Sequence, residues 1–267
     1  MKRAVALGFF DGVHIGHGAL LRRTSEAARA SSLSPCVMTY SNHPSSVLSG
    51  SSVSLINTAE ERASLISELY GISDIVIKDF TPEYAALPCE EFFENILINE
   101  LSAGHVVAGY DFRFGRGGSG DAEKLEKLCK EHGLGCDIIE EVTYDGAEVS
   151  SSRIRELLES GDIKKANALL GHPHCTVSEV LHGQALGKKL GFATVNQRLS
   201  AETIIPRRGV YLSRVTVDGK ILRGVTNVGV RPSVSNDSRT WLMALFSRSS
   251  LAYSIVTAST YPSGARR

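Results

Sequence analysis

The chain has 267 residues, of which 29 are basic and 29 acidic, with 42% hydrophobic and 22% charged overall. That length fits one or two domains with a sizeable core, and the balanced charge leaves no global field to select nucleic acid or an anionic membrane. No apolar run approaches the ~18 residues that span a bilayer, and Asp11 and His14 interrupt the apolar start, so neither a membrane span nor a secretory leader is expected.

Residues 4–7 form a short apolar run closed by Gly8 and read as a buried strand. A glycine-containing loop comes next. Residues 18–30 then place Leu20, Leu21, Ala27 and Ala28 on one side of a helix. Residues 34–40 read as a second strand. Thr58-Ala59-Glu60-Glu61 fits a capping box opening a helix to about Tyr70. Further along, residues 74–78 are a third strand, 89–102 a helix, and 105–108 a fourth strand ending at Gly109. A helix over 121–132, a strand over 136–140 and a helix over 151–159 complete the first half. This alternation predicts an α/β fold with a parallel sheet covered on both faces. Ligands of such sheets sit beyond the carboxyl ends of the strands, so the loops starting at Gly8, Tyr40 and Gly109 form the candidate site.

The texture changes after Gly171-His172-Pro173. Residues 176–181, 209–217 and 222–228 are β-rich, with Asp218-Gly219 a hairpin signal, which predicts a small all-β module from about residue 172. A third texture starts near residue 238. All 29 acidic residues precede it, and the last 30 residues hold none. The five cysteines (Cys36, Cys89, Cys129, Cys136, Cys175) form no C-x-x-C pair and are odd in number. That disfavours a disulfide scaffold and a zinc ribbon, and fits reduced thiols in the cytoplasm.

The first candidate loop reads Gly8-Phe9-Phe10-Asp11-Gly12-Val13-His14-Ile15-Gly16-His17. Helix N-terminal N–H groups bind phosphate, Gly16 permits close approach, and imidazole N–H groups can stabilise phosphoryl charge. An H-x-x-H pair alone is more often a helix cap, and zinc lacks a third ligand at suitable spacing. The whole string is more specific. It resembles the G-x-F-D-G-V-H-x-G-H signature of the bacterial bifunctional riboflavin kinase/FMN adenylyltransferase family, a form of the nucleotidyltransferase H-x-G-H motif. Thr39-Tyr40-Ser41-Asn42-His43-Pro44 is similar to its T-F-x-x-H-P segment. Gly109-Tyr110-Asp111-Phe112-Arg113-Phe114-Gly115 is similar to its G-x-D-F-x-F-G. Val149-Ser150-Ser151-Ser152-Arg153-Ile154-Arg155 is similar to its I-S-S-T-x-I-R. In the second half, Gly183, Gly187 and Gly191-Phe192-Ala193-Thr194-Val195-Asn196 resemble the kinase module, with Ala193 in place of its usual proline. Gly209-Val210-Tyr211 and the stretch from Gly224 to Ser233 also resemble it.

The resemblance implies a doubly wound, Rossmann-like domain over residues 1–160, a partial kinase β-barrel over 172–237, and an atypical tail over 238–267. It implies FAD synthesis from FMN and ATP, with ATP, FMN and riboflavin as small-molecule partners and Mg²⁺ carried on ATP. His14, His17 and Arg155 are then the expected catalytic residues. Gly8, Phe9, Phe10, Gly16, Ser150, Ser151, Ser152 and Arg153 are expected to bind ATP. Asn42, His43, Pro44, Asp111 and Phe112 are expected to bind FMN. In the kinase module, Gly183, Gly187 and Gly191 would cradle phosphate, and Thr194 and Asn196 would meet ATP and Mg²⁺. The family's E-x-H-x-L-D-F segment, source of the kinase base, has no match. Arg239 is followed by Thr240-Trp241-Leu242-Met243-Ala244-Leu245-Phe246. A reading-frame shift near residue 240 would produce this break, and so would divergence. The expectation is a tail that packs irregularly and a kinase module impaired or inactive. Two further readings stay open: a flavin-binding protein without catalysis, and a nucleotidyltransferase with another phosphate acceptor.

Overall fold

The apolar run at the start of the chain is strand β1 (Arg3–Leu7), the centre of a five-stranded parallel sheet. The computed structural model describes residues 1–178, 180–181, 193–217, 220–230, 240–246 and 257–259. After β1 come α1 (Ile15–Ala30), β2 (Ser34–Tyr40), α2 (Pro44–Leu48), α3 (Ala59–Tyr70) and β3 (Asp74–Lys78). Next are α4 (Pro82–Ala85), α5 (Cys89–Glu91), β4 (Ala103–Gly109), α6 (Ala122–Glu131), β5 (Gly135–Ile139) and the short antiparallel pair β6 (Thr143–Tyr144) and β7 (Ala147–Glu148). The strand order is β3-β2-β1-β4-β5. Ala4, Val5 and Ala6 are all fully buried, because both faces of the sheet are covered. Successive residues face opposite sides. Ala6 joins Val37 and Val107 against Leu21 of α1 and Ile66 of α3. Val5 joins Met38 and Val106 against Phe93, Leu97 and Leu125.

The α3 start carries the expected capping box: Glu61 N–H donates to Thr58 Oγ1 (3.3 Å), and Thr58 N–H donates to the Glu61 carboxylate (2.8 Å). The helix expected over 89–102 is different in kind. Only its first turn is α-helical, and Phe92–Glu100 is π-helical, with Leu101 N–H reaching back to Ile96 O. Apolar spacing reports a buried face and does not separate a repeat of four from one of five.

The chain lays β1, β2 and β3 side by side, then returns to place β4 on the other side of β1. The order therefore reverses between β1 and β4, and a crevice opens beyond their carboxyl ends, Leu7 and Gly109.

Contacts divide the chain into two units, Met1–Ser150 and Ser151–Arg267. The second unit begins with α7 (Ser151–Ser160) and α8 (Ile163–Leu170). A first domain ending at residue 160 is thus not where the compact units part. Arg207, which precedes the long β-hairpin, donates from its backbone to Leu158 O (2.9 Å) and from Nη1 to Ser160 O (3.2 Å), tying α7 to the β-rich part of the same unit. The strands of this unit are β8 (Cys175–Val177), β9 (Val180–Leu181), β10 (Ala193–Arg198), β11 (Gly209–Val217), β12 (Lys220–Val230), β13 (Thr240–Phe246) and β14 (Thr257–Ser259). They form one sheet in the order β8-β14-β11-β12-β13-β10-β9. The expected Asp218-Gly219 turn lies outside the described residues, but the strands it would join are antiparallel, Val217 opposite Lys220.

The expectation of irregular packing from residue 238 is corrected for β13. It runs antiparallel between β12 and β10, Thr240 opposite Val230 and Phe246 opposite both Gly224 and Ala193. An apolar stretch with a strand on each edge gains ladder partners for its backbone whatever its side-chain pattern.

Candidate active site

The loop after β1 is bent into an unusual path. Phe10 and Val13 have φ of 57° and 44°, with Gly12 between them at 80°. A β-branched residue in the left-handed region is uncommon, and such backbone strain costs on the order of 1–3 kcal/mol where the surroundings enforce it. Those surroundings are visible. The buried Asp11 carboxylate accepts from Ile56 N–H (2.9 Å) and Asn57 N–H (3.1 Å), and Thr39 Oγ1 donates to Phe9 O (2.8 Å).

The loop delivers two imidazoles to the mouth of α1. His14 is the N-cap, its Nδ1 accepting from His17 N–H at 3.2 Å. An accepting Nδ1 leaves the ring hydrogen on Nε2. The His14 and His17 rings stack at 3.5 Å between centroids, 16° apart, and the Phe10 ring lies edge-on to His17 at 5.2 Å. Burial, then His14, then Arg62 push the His17 pKa well below its ordinary value, so it is neutral near pH 7. Capping and phosphate recognition are therefore compatible: Nδ1 serves the helix, and the donor is on the other nitrogen. Gly16 allows this. A Cβ there would stand 3.1 Å from Cε1 and Nδ1 of His14. Gly8 is needed for the same reason beside Phe10, whose ring would meet a Cβ at 3.0 Å.

The loop after β2 makes a second wall of the same unit. His43 caps α2 by accepting from Ser45 N–H (3.1 Å), and its ring meets Phe9 edge-on at 4.8 Å. Pro44 is the first residue of α2. Asn42 spends its amide on Phe80, donating to its carbonyl (3.0 Å) and accepting from its N–H (2.9 Å), so it fixes the loop. After β4, Asp111 is exposed in a tight turn, Phe112 N–H bonding Gly109 O (3.0 Å). Phe112 stacks on the buried Phe114 (5.8 Å, 17°) and is itself only half-buried.

Ser150 ends the first unit, and Ser151, Ser152, Arg153 and Arg155 fall in the opening turns of α7. Ser152 is exposed and the other three are half-buried. In the second unit, Gly183, Gly187 and Gly191 lie outside the described residues. Thr194 and Asn196 occupy alternate positions of β10, opposite Leu245 and Met243 of β13. Among the described residues, no group of three or more His, Cys, Asp or Glu side chains could hold a metal. No helix of the described residues is long and apolar enough to cross a membrane.

Three contributors were not assigned a role by sequence: Asp11, Thr39 and Arg62. Asp11 and Thr39 sit inside matched motifs. Arg62 had a subtler signal, since Ala59, Arg62 and Ile66 share the buried face of α3.

Comparison with known proteins agrees with both halves. The FAD synthetase family model matches residues 1–153 and the riboflavin kinase family model matches residues 170–256. The kinase match thus runs beyond residue 237, where the sequence motifs stop. Bifunctional riboflavin kinase/FMN adenylyltransferases are similar along most of the chain. The Bacillus subtilis protein is 35% identical over 87% of this chain and 73% of its own. The Listeria monocytogenes protein is 33% identical over 89% and 75%, and that of Escherichia coli K12 is 33% identical over 86% and 74%. The crystal structure of a macrolide-efflux protein from Streptococcus pneumoniae has the same fold, with a TM-score of 0.74 and 28% identity over 92% of this chain and 85% of that one.

Proposed function

The chain belongs to the bifunctional riboflavin kinase/FMN adenylyltransferase family of FAD biosynthesis, and on that premise we propose how its residues carry AMP from ATP to FMN. A phosphate oxygen of FMN attacks the α-phosphorus of ATP in line, and the bond to pyrophosphate breaks. The protein positions two anions and stabilises the charge that spreads over the phosphoryl oxygens. The observation that carries this reading is the stacked His14–His17 pair at the mouth of α1, beside the crevice where the strand order reverses. The neutral His17 ring can sit this close to His14, and the imidazole N–H groups with the α1 N-terminus make a donor cluster for phosphate. Gly8, Phe9, Phe10 and Gly16 shape the nucleotide path. At the start of α7, Ser151, Ser152, Arg153 and Arg155, with Ser150 before them, offer hydroxyls, N–H groups and guanidinium to the phosphates of ATP. Asn42, His43, Pro44, Asp111 and Phe112 receive the flavin.

Mg²⁺ enters as part of the MgATP substrate, where it neutralises phosphate charge. The cytoplasm, where ATP and reduced thiols coexist, suits the five free cysteines. In the kinase module, Thr194 and Asn196 take the ATP phosphates and Mg²⁺, with Gly183, Gly187 and Gly191 around them. Riboflavin phosphorylation by this chain is absent or severely reduced, because Thr240–Phe246 occupy the stretch where the family glutamate is called for and no acid follows Asp237. Incubation with ATP and Mg²⁺, followed by HPLC of riboflavin, FMN and FAD, tests both statements. FAD from FMN is expected, with little FMN from riboflavin. A folded protein that yields no FAD from FMN overturns the first.

A further inference from the structure

Arg62 is fully buried, which is rare for arginine and costly unless its charge and donors are used. Its Nη2 donates to Tyr40 O and its Nη1 to Asn57 O at 3.4 Å. Its guanidinium carbon stands 4.1 Å from the centroid of the Phe9 ring. Nε finds no hydrogen-bond partner among the described residues. Phe9 belongs to the loop after β1, Tyr40 ends β2, and Asn57 leads into α3. One planar group thus holds three separately folded walls. Asp11 grips the same leading segment through the Ile56 and Asn57 N–H groups. An apolar side chain of similar length would fill the space, but it would supply neither the two donors nor the face for Phe9.

Resting on the adenylyl-transfer reading, we propose that Arg62 is a positioning residue of the nucleotide site, fixing the Phe9, Tyr40 and Asn57 walls against one another so that ATP meets them preformed. Its fixed charge has a second effect. The groups that face His17 are His14 from its own turn and Arg62 from α3, with Asp11, Glu60 and Glu61 acting on Arg62 in turn. Burial and then His14 already hold that ring neutral, and a permanent cation at Arg62 adds to them by opposing a second positive charge on His17.

The test compares wild type with Arg62→Met, Arg62→Lys and Phe9→Leu. MgATP dissociation constants are measured by calorimetry, FAD formation from FMN across pH, the His17 titration by NMR, and melting temperature. Misplaced walls should weaken MgATP binding roughly ten- to hundredfold in Arg62→Met. The same variant should move the His17 titration, and the acid limb of the FAD rate, to higher pH. Arg62→Lys keeps the charge and loses the planar fork, so it should leave the limb near its wild-type place while MgATP binding stays weakened. Phe9→Leu should weaken MgATP binding without moving the limb, and Arg62→Lys, which keeps the charge and loses the fork, decides the matter should Arg62→Met not fold. Lower melting temperatures with MgATP affinity within twofold and an unmoved His17 would reduce Arg62 to a packing residue and overturn the proposal. Wild type that binds MgATP yet makes no FAD would instead overturn the adenylyl-transfer reading, and the binding comparison would still decide on Arg62.

Discussion

The two units of this chain keep different things. In the first, strand order, strained loop and side chains agree: the crevice opens between β1 and β4, and His14, His17, Asp11 and Arg62 converge behind it. In the second, β13 runs in register between β12 and β10 through a stretch with no aspartate or glutamate, where the proposed reading calls for one. A strand asks little of its sequence, since its backbone needs partners and its side chains need only tolerate a pleated surface. A phosphoryl-transfer site asks for one carboxylate at one place. On the proposed reading, fold and activity part within a single module.

The sharpest way to break that comparison is to supply the acid. Replacing Thr240–Phe246 with a family-like E-x-H-x-L-D-F stretch should raise riboflavin turnover by ~10²–10⁴, the range of general-base help to a hydroxyl nucleophile. Equal FMN production by the two chains would show that the missing glutamate is immaterial. In the first unit the converse should hold. His17→Ala should cut FAD formation ~10²–10³-fold, the worth of one donor to developing phosphoryl charge, with FMN binding retained. A loss below fivefold would leave His17 with packing alone.

How much of this the sequence displays depends on what each stretch encodes. β2, β3 and β11 are legible to the residue because their short β-prone runs are bounded by Pro, Gly, Ser or charged residues. The capping box is legible because its two side chains state its geometry. The π-helical run is not, since Phe92, Phe93, Ile96 and Leu97 give a buried face under either repeat. Nor is β13, whose seven residues lack alternation and become a strand through neighbours that precede them in the chain. The site is legible as far as its motifs run. Arg62 escapes because its role is set by Tyr40 O, Asn57 O and the Phe9 ring, partners that only the folded chain assembles.

Acid should weaken the second unit through one buried histidine, while the lowered His17 pKa gives the first unit a dependence of the same sign. His174, in the second unit, is buried, and its Nε2 finds no hydrogen-bond partner among the described residues. Burial, with His172 adding to it, lowers its pKa to about 4. The unfolded chain then takes up a proton near pH 6.5 that the folded unit refuses until about 4. Stability is full above pH 6.5 and falls as pH drops through that window, by on the order of 3 kcal/mol. Melting curves between pH 7 and 4.5 should show the second unit losing stability in this window, and His174→Gln should flatten the slope. A slope unchanged by the substitution would place the acid sensitivity elsewhere. Arg155→Ala should raise the KM for ATP several-fold, as loss of a charged phosphate contact does. An unchanged KM would remove Arg155 from the phosphate site.

The smallest change tests whether the first unit depends on close approach as well as on donors. Gly16 has no positive φ to explain it, so its reason is space. A Cβ at this position would stand 3.1 Å from both Cε1 and Nδ1 of His14, tighter than ordinary contact, with Val142 Cβ at 3.8 Å. The ring would have to yield by a few tenths of an ångström. It is held on one side by the 3.2 Å bond from His17 N–H and on the other by the stacked His17 ring at 3.5 Å. Either the cap lengthens or the stack opens, and both move the donor on Nε2. Overpacking of this kind costs ~1–3 kcal/mol, part of it in stability and part in aim. Gly16→Ala should therefore lower the melting temperature of the first unit by a few degrees and raise the KM for ATP by less than tenfold. Adding a Cβ at Gly133, where nothing lies within 4 Å, controls for the extra methyl itself, although its φ of 68° brings backbone strain of its own. If Gly16→Ala binds MgATP as wild type does, the His14 ring has room that its neighbours do not reveal, and His14 contributes to the helix start without setting the aim of the phosphate site.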